Sequence, residues 1–81
     1  MPSLRQDFGK RLKAIRLDRK LTQEEFAELV GISVDFLSLI ERGINSPGFE
    51  VLERMADRLD MQVQELFDFG KPKRDAHRRK C

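Results

Sequence analysis

Residues 22–43 read TQEEFAELVGISVDFLSLIERG and contain two helix-start signals eleven residues apart, with a glycine between the helices they open. Thr22 and Glu25 fit a capping box, in which the hydroxyl accepts the N3 amide proton and the carboxylate accepts from the N-cap amide. Gly31 can take the left-handed conformation that ends a helix and turns the chain sharply. Ser33 is placed to cap the next helix. The stretch therefore predicts two short helices joined by a tight turn.

The apolar residues of these two helices fall on one side of each. Phe26, Ala27 and Val30 form a stripe on the first helix, and Leu37 and Ile40 face inward from the second. Two short helices joined by about three residues that include glycine form a helix-turn-helix unit. This unit makes nucleic-acid binding the leading hypothesis.

Further helices are predicted on both sides of the unit. Ser3 and Gln6 form a second capping box before an apolar stripe, and the segment INSPG at residues 44–48 is rich in turn-forming residues. Nothing in the sequence indicates a strand, so we predict an all-α fold. Its five helices are expected at about residues 4–19, 22–30, 33–42, 49–59 and 63–67.

The length predicts one small domain with a single core. Of the 81 residues, we expect residues 1–69 to form this domain and residues 70–81 to form a basic flexible tail. No apolar run approaches the roughly 20 residues needed to cross a bilayer. Charged side chains also interrupt the N-terminal region, where a signal peptide would need an apolar run. We therefore expect a cytoplasmic protein without a membrane partner.

The charge is distributed unevenly along the chain. Residues 71–81 hold six Lys/Arg against one Asp, which gives +5, whereas residues 1–70 carry −3 of the overall +2. Seven of the first 20 residues are basic and two are acidic, so one end of the fold should be positive. The tail is either a solvated end or a non-specific arm on DNA phosphates, and the sequence leaves both alternatives open.

No enzyme site is indicated. The sequence has no nucleophile–base constellation, no phosphate loop and no metal-ligand spacing, and the chain is too short for a deep pocket. Cys81 is the one cysteine, which excludes an intrachain disulfide and a cysteine zinc cluster, and His77 has no partner ligands nearby. We expect no enzymatic activity, cofactor, metal or small-molecule substrate.

Five motifs in order resemble the Cro/lambda-repressor-like (Xre-type) helix-turn-helix regulators of bacteria and phages. They are LKAIR at 12–16, LTQEEFA at 21–27, GIS at 31–33, FLSLIERG at 36–43 and P-x-F-x-V-L-x-R-M-A-x-x-L at 47–59. Together they cover about residues 8–67, and their joint order is far more specific than any one of them. The resemblance implies a compact lambda-repressor-like domain, in a bacterial or phage, nucleoid-associated setting.

The resemblance also implies which residues meet DNA. The second helix of the unit enters the major groove, and the first crosses the backbone. The base-reading positions are Val34, Asp35, Ser38 and Leu39. The phosphate-contacting positions are Gln23, Arg42 and Asn45. Arg16 and Glu41 match an ion pair that ties the first helix to the third.

The expected partner is a pseudo-palindromic, double-stranded DNA operator bound by a homodimer. One short helix contacts only about 4–6 base pairs, so two half-sites about one helical turn apart are needed for affinity and specificity. In related repressors the C-terminal helices supply the dimer surface. We expect core positions by default for Phe49, Met55, Met61, Leu66 and Phe67, but the sequence does not distinguish core from dimer surface for them.

The second helix of the unit departs from the family pattern because it is unusually apolar. Val34 and Leu39 stand where polar or basic side chains are common, and Leu29 does so on the preceding helix. Phe36 replaces a common aromatic hydroxyl and is expected to be a packing residue. The alternative function is therefore a protein–protein interaction module, for example an antitoxin or partner-binding regulator. Its exposed apolar patch would consist of Leu29, Val34 and Leu39.

Overall fold

The computed structural model describes residues 3–70, which form five helices and no strand. The predicted all-α fold with five helices is confirmed. The N-terminal ends agree to within one residue, and α1, α3 and α5 end one residue earlier than expected. The predicted tail lies almost entirely outside the described residues, as do His77 and Cys81. The helices are α1 Leu4–Asp18, α2 Gln23–Val30, α3 Val34–Glu41, α4 Phe49–Leu59 and α5 Val63–Leu66.

Both helices of the central unit begin at the predicted caps. The Oγ1 of Thr22 accepts from the Glu25 amide at 3.0 Å, and the Thr22 amide donates to Oε1 of Glu25 at 2.9 Å. The Oγ of Ser33 accepts from the Phe36 amide at 3.0 Å. Gly31 ends α2 in the left-handed region with φ 78°. The turn between α2 and α3 thus follows from local sequence chemistry.

One apolar cluster joins all five helices. Helix α1 packs against α3 and α5, and α2 packs against α3 and α4, while α4 also contacts α5. Each helix contributes at least one fully buried apolar side chain, so the burial of apolar surface holds the five helices together. The core residues are Phe8, Leu12, Ile15, Phe26, Ala27, Val30, Leu37, Ile40, Leu52, Met55, Ala56, Leu59 and Leu66.

The close approach of α1 to α3 occurs at Gly9. A Cβ on Gly9 would overlap the carbonyl oxygen of Ile40 and lie 2.9 Å from that of Glu41. Both are backbone atoms, so no side chain is accommodated there without moving a helix. This contact sets the distance between α1 and α3, and the sequence analysis did not anticipate it.

Four arginines bind carbonyl oxygens at or near the C-terminal ends of helices. Such oxygens have no partner within the helix, and a guanidinium supplies several donors in a fixed plane. Each bond therefore satisfies a helix end and ties it to another element. The pairs are Arg54 with Val30 and Gly31, Arg58 with Leu29, Arg19 with Leu59, and Arg11 with Glu65.

Phe49 is not a core residue. It is the first residue of α4 and is 85% exposed, because the buried stripe of that helix begins at Leu52. Of the other residues left open by the sequence, Met55 and Leu66 are fully buried, and Met61 and Phe67 are partly buried against the core. Phe36 is also partly buried against the core, as a packing residue would be.

Candidate nucleic-acid interface

The helix pair α2–α3 is held at its turn from outside. Nε of Arg54 donates to the carbonyl of Val30 at 3.0 Å, and its Nη2 donates to that of Gly31 at 3.1 Å. These bonds occupy the C-terminal carbonyls of α2, next to the left-handed glycine that turns the chain. The end of α2 and the start of the turn are thereby tied to α4.

A cluster of three polar side chains connects α1, α2 and α3. Arg16 Nε donates to Glu41 Oε2 at 2.8 Å, and Arg16 Nη2 donates to Glu41 Oε1 at 3.1 Å. Gln23 Nε2 donates to the same Oε1 at 3.0 Å. Arg16 also donates through Nη1 to the carbonyl of Leu21 at 3.0 Å, just before α2 begins. The sequence-predicted pair Arg16–Glu41 and the predicted phosphate residue Gln23 therefore lie in one network.

Burial makes this cluster rigid. The side chains of Arg16 and Glu41 are only 10% and 3% exposed, and the two planar groups face each other through two bonds. Within the described residues, every buried side-chain nitrogen and oxygen has a hydrogen-bond partner. A fully satisfied polar network of this kind specifies one arrangement of its helices.

Gln23 retains one donor for a ligand. Its carboxamide nitrogen carries two protons, and Glu41 accepts one of them. Gln23 is half-buried at the first position of α2, so the remaining N–H stands at the N-terminal end of that helix. Helix N-termini favour anions because their first amides lack partners within the helix. The geometry is compatible with a phosphate contact by Gln23.

The predicted base-reading positions differ in exposure. Asp35 is exposed in the first turn of α3, whereas Val34, Ser38 and Leu39 are half-buried. Val34 packs against the core with part of its surface. The side chain with the greatest freedom to meet a base edge is therefore Asp35, and Ser38 supplies the second polar group.

The other two predicted phosphate positions lie at the C-terminal end of α3. Arg42 is the C-cap residue and is exposed. Asn45 is exposed too, and its amide donates to the carbonyl of Leu39 at 3.3 Å. Gly43, with φ 77°, turns the chain between them. The structure thus places Gln23 at the start of α2, and Arg42 and Asn45 beyond the end of α3.

The alternative apolar patch is not formed as expected. Leu29, Val34 and Leu39 are each half-buried, and Leu29 and Val34 pack against the core. The helix pair turns these two side chains inward because their positions border the buried stripes of α2 and α3. The large hydrophobic residues that are exposed are Leu4, Leu17, Ile44, Phe49, Val63 and Phe69.

The described residues lack two features of other classes of protein. Across residues 3–70, no group of three or more His, Cys, Asp or Glu is arranged to hold a metal ion. Nor is any helix in this range both long and apolar enough to span a membrane.

Comparison with known proteins places these features in context. The family model described as Helix-turn-helix (HTH_3) matches residues 12–66. The immunity repressor protein of Bacillus phage phi105 is 43% identical over 58 residues, which cover 72% of this chain and 40% of the repressor. The HTH-type transcriptional regulator YazB of Bacillus subtilis is 41% identical over 59 residues, which cover 73% of this chain and 86% of YazB.

A solved structure shows the same architecture. The clp gene regulator ClgR of Corynebacterium glutamicum superposes with a TM-score of 0.76 at 30% sequence identity. The match covers 85% of this chain and 90% of the ClgR chain. Similarity thus extends across most of both chains, and the range matched by the family model includes α2, α3 and the Arg16–Glu41 pair.

Proposed function

The chain belongs to the HTH_3 family of helix-turn-helix proteins, and we propose that it is a sequence-specific transcriptional regulator that binds a pseudo-palindromic DNA operator as a homodimer. The predicted resemblance to this family is confirmed by the match over residues 12–66. A phage repressor and bacterial transcriptional regulators among its relatives support the regulatory role. They also support a cytoplasmic, nucleoid-associated setting, as expected from the sequence.

The Arg16–Glu41–Gln23 network is the observation that carries this proposal. It fixes α3 relative to α1 and holds the side chain at the N-terminus of α2 in one position. A helix that reads base edges must be held in register with the groove, and contacts to phosphates on either side provide that register. The network joins the groove-reading helix to the phosphate-binding end of α2.

Backbone positioning is assigned to Gln23, Arg42 and Asn45. Gln23 offers its free N–H beside Glu41 at the C-terminal end of α3, and Arg42 and Asn45 are exposed just beyond that end. Contacts of this kind orient the protein on the duplex but carry no sequence information directly.

We assign direct readout of bases to the outward residues of α3, which offer few hydrogen-bonding groups. Asp35 can accept from the N4 amine of cytosine, and Ser38 can bond to several base edges. Val34 and Leu39 can only pack against thymine methyl groups. We infer that the operator is recognised in large part through its shape and deformability.

An exposed apolar surface at the N-terminal end of α4 supports the homodimer. Phe49 projects between two hollows of about 320 Å³ and 260 Å³. Leu52 and Phe67 line both hollows, Leu4 and Phe8 line the first, and Val63 lines the second. A projecting aromatic ring beside an apolar hollow is self-complementary, because a two-fold axis lets each Phe49 enter the hollow of the other copy.

Charge favours the same arrangement. Arg5 lines the larger hollow and Glu53 lines the smaller one, so the two sides of Phe49 carry opposite charges. With a two-fold axis perpendicular to the line that joins the two hollows, the positive side of each copy faces the negative side of its partner. We therefore assign this surface to a second copy of the chain.

Selection of random duplexes by the purified full-length protein tests the operator. We expect enrichment of an inverted repeat whose half-sites are about one helical turn apart, because each copy reads one major-groove segment. Failure to enrich any sequence over random DNA at about physiological salt would contradict the proposed function and would favour the interaction module instead.

Substitution of Phe49 tests the homodimer. We expect Phe49→Ser to convert the protein to a monomer in sedimentation and to weaken binding to a two-half-site operator much more than to a single half-site. Leu17→Ser is the matched control, since Leu17 is 55% exposed on α1 and lines neither hollow. A Phe49→Ser protein that remains dimeric would refute the assignment of this surface.

A further inference from the structure

The Lys and Arg side chains of the described residues fall into two groups: arginines that bond to the chain itself, and cations that are available to a ligand. Arg11, Arg16, Arg19, Arg54 and Arg58 all bond to carbonyl or carboxylate oxygens of the chain itself. The remaining Lys and Arg side chains of residues 3–70 make no hydrogen bond or ion pair with another described residue. They are Arg5, Lys10, Lys13, Lys20 and Arg42.

Lys13 lies on the side of α1 that contacts α3. Residues separated by three or four positions share a helix face, so Lys13 lies between Gly9 and Arg16 on one stripe. Gly9 contacts the backbone of Ile40 and Glu41, and Arg16 binds the carboxylate of Glu41. Lys13 is exposed, so its ammonium group extends into solvent beside the C-terminal end of α3.

Lys20 lies in the connection that leads into α2. It is exposed, and the next residue, Leu21, accepts from Nη1 of Arg16 at 3.0 Å. Thr22 then caps α2, and Gln23 begins it. Lys20 is thus anchored through its neighbour to the same polar network that positions Gln23.

We propose that Lys13 of α1 and Lys20 of the α1–α2 connection form an additional phosphate-binding line, which contacts the DNA backbone beside the network of Arg16, Glu41 and Gln23. This inference rests on the proposed function, since it adds contacts to the same DNA complex. The ligand is the phosphate backbone of duplex DNA, which accepts ammonium donors without regard to sequence.

The two lysines compensate for the weak electrostatic attraction between α3 and the DNA phosphates. Asp35 is exposed on the outward face of α3, and its charge opposes the approach of DNA phosphates. The C-cap residue Arg42 is the one cation of residues 34–45. Lys13 on α1 and Lys20 just after it offset that deficit and increase the affinity for all sequences alike.

The phosphate contacts of Lys13 and Lys20 can be counted from the salt dependence of binding to the operator obtained by selection. Each phosphate contact contributes about one to the slope of log affinity against log salt concentration. We expect Lys13→Gln and Lys20→Gln each to reduce the slope by about one and the double variant by about two. Specific and random DNA should lose affinity in the same proportion.

Lys10→Gln is the matched control on the same helix. Lys10 lines a hollow with Asp68 and Gly70, on the side of α1 turned away from the Gly9 stripe. The substitution removes the same charge, so its slope should stay within about half a unit of the wild type. A loss equal to that of Lys13→Gln would show a general charge effect and overturn the proposal.

A purely structural role for Lys13 is also distinguishable. A cation beside the C-terminal end of α3 stabilises the helix dipole, and its loss then lowers the Tm without changing the salt slope. That result, or an unchanged slope in the double variant, refutes the phosphate line. If the wild-type protein binds no operator, the proposed function itself fails.

Discussion

Gly9 on α1 lies directly against the carbonyl oxygen of Ile40 on α3, so the two helices meet backbone to backbone. A Cβ on Gly9 would also lie 2.9 Å from the carbonyl oxygen of Glu41. The Arg16–Glu41 pair is made about two turns further along α1, at the same end of α3. The close approach at Gly9 thus brings α1 near enough for that pair to form.

Gly9→Ala should therefore destabilise the protein. In an exposed helix interior the same change stabilises by about 1 kcal/mol, because glycine is a poor helix former. Here the added methyl group forces two backbones apart, and we expect a loss of about 1–3 kcal/mol in the free energy of unfolding by urea. Gly48→Ala is the control, since its Cβ would meet nothing within 4 Å. A Gly9→Ala protein more stable than the wild type would contradict the close contact.

Arg16→Met should cost about 3–5 kcal/mol of stability. It leaves the carboxylate of Glu41, which is 3% exposed, without its guanidinium partner, and an unpaired buried charge is costly. The double variant Arg16→Met/Glu41→Leu removes both charges and should recover most of that loss. Urea unfolding of the wild type, Arg16→Met, Glu41→Leu and the double variant gives the coupling energy between the two positions. Additive losses would mean that the pair contributes no coupling.

Asp60 and Gly31 both have a left-handed backbone conformation. Replacing Asp60 with glycine should raise the stability of the protein, and replacing Gly31 with alanine should lower it. Asp60 ends α4 with φ 58°, and Asp60→Gly relieves a strained backbone, so we expect a gain of about 0.5–1 kcal/mol. Gly31→Ala introduces the same strain at φ 78° and should cost about 1–2 kcal/mol. Thermal unfolding measures both. Equal signs for the two variants would count against the assigned backbone conformations.

Arg54→Met should loosen the turn between α2 and α3. It removes two charge-assisted bonds, to the carbonyls of Val30 and Gly31, and should cost about 1–3 kcal/mol. Arg58→Met removes one bond, to the carbonyl of Leu29, and should cost less. Amide hydrogen exchange in α2 should increase in the first variant. An Arg58→Met loss equal to or larger than that of Arg54→Met would argue against the paired carbonyl contact.

Substitutions at the DNA-binding surface should divide into two classes. Gln23→Ala and Arg42→Ala should weaken binding to specific and random duplexes in the same proportion, because phosphate contacts carry no sequence information. The double variant Asp35→Asn/Ser38→Ala should instead alter the preferred half-site by about 1–3 kcal/mol at one or two positions. Competition binding measures both effects. Equal loss on all DNA in the double variant would refute base reading by these residues.

The local elements of the fold were predictable because their signals are local. The caps at Thr22 and Ser33 and the left-handed Gly31 act within a few residues, so their sequence pattern is sufficient to place α2 and α3. The apolar stripes of α2 and α3 likewise predicted which of their residues are buried in the core. Phe49 could not be assigned in this way, because whether the first residue of α4 is buried depends on which elements reach it.

The sequence alone determined the order of five helices, the helix-turn-helix unit and the candidate DNA-binding positions on it. Only the tertiary structure decided that Gly9 sets the distance from α1 to α3, that Gln23 joins the Arg16–Glu41 pair, and which cations are left available. Capping and helix periodicity depend on residues up to about four positions apart. Side-chain partnership and exposure depend on residues brought together from distant parts of the chain, and their spacing in the sequence carries no direct signal.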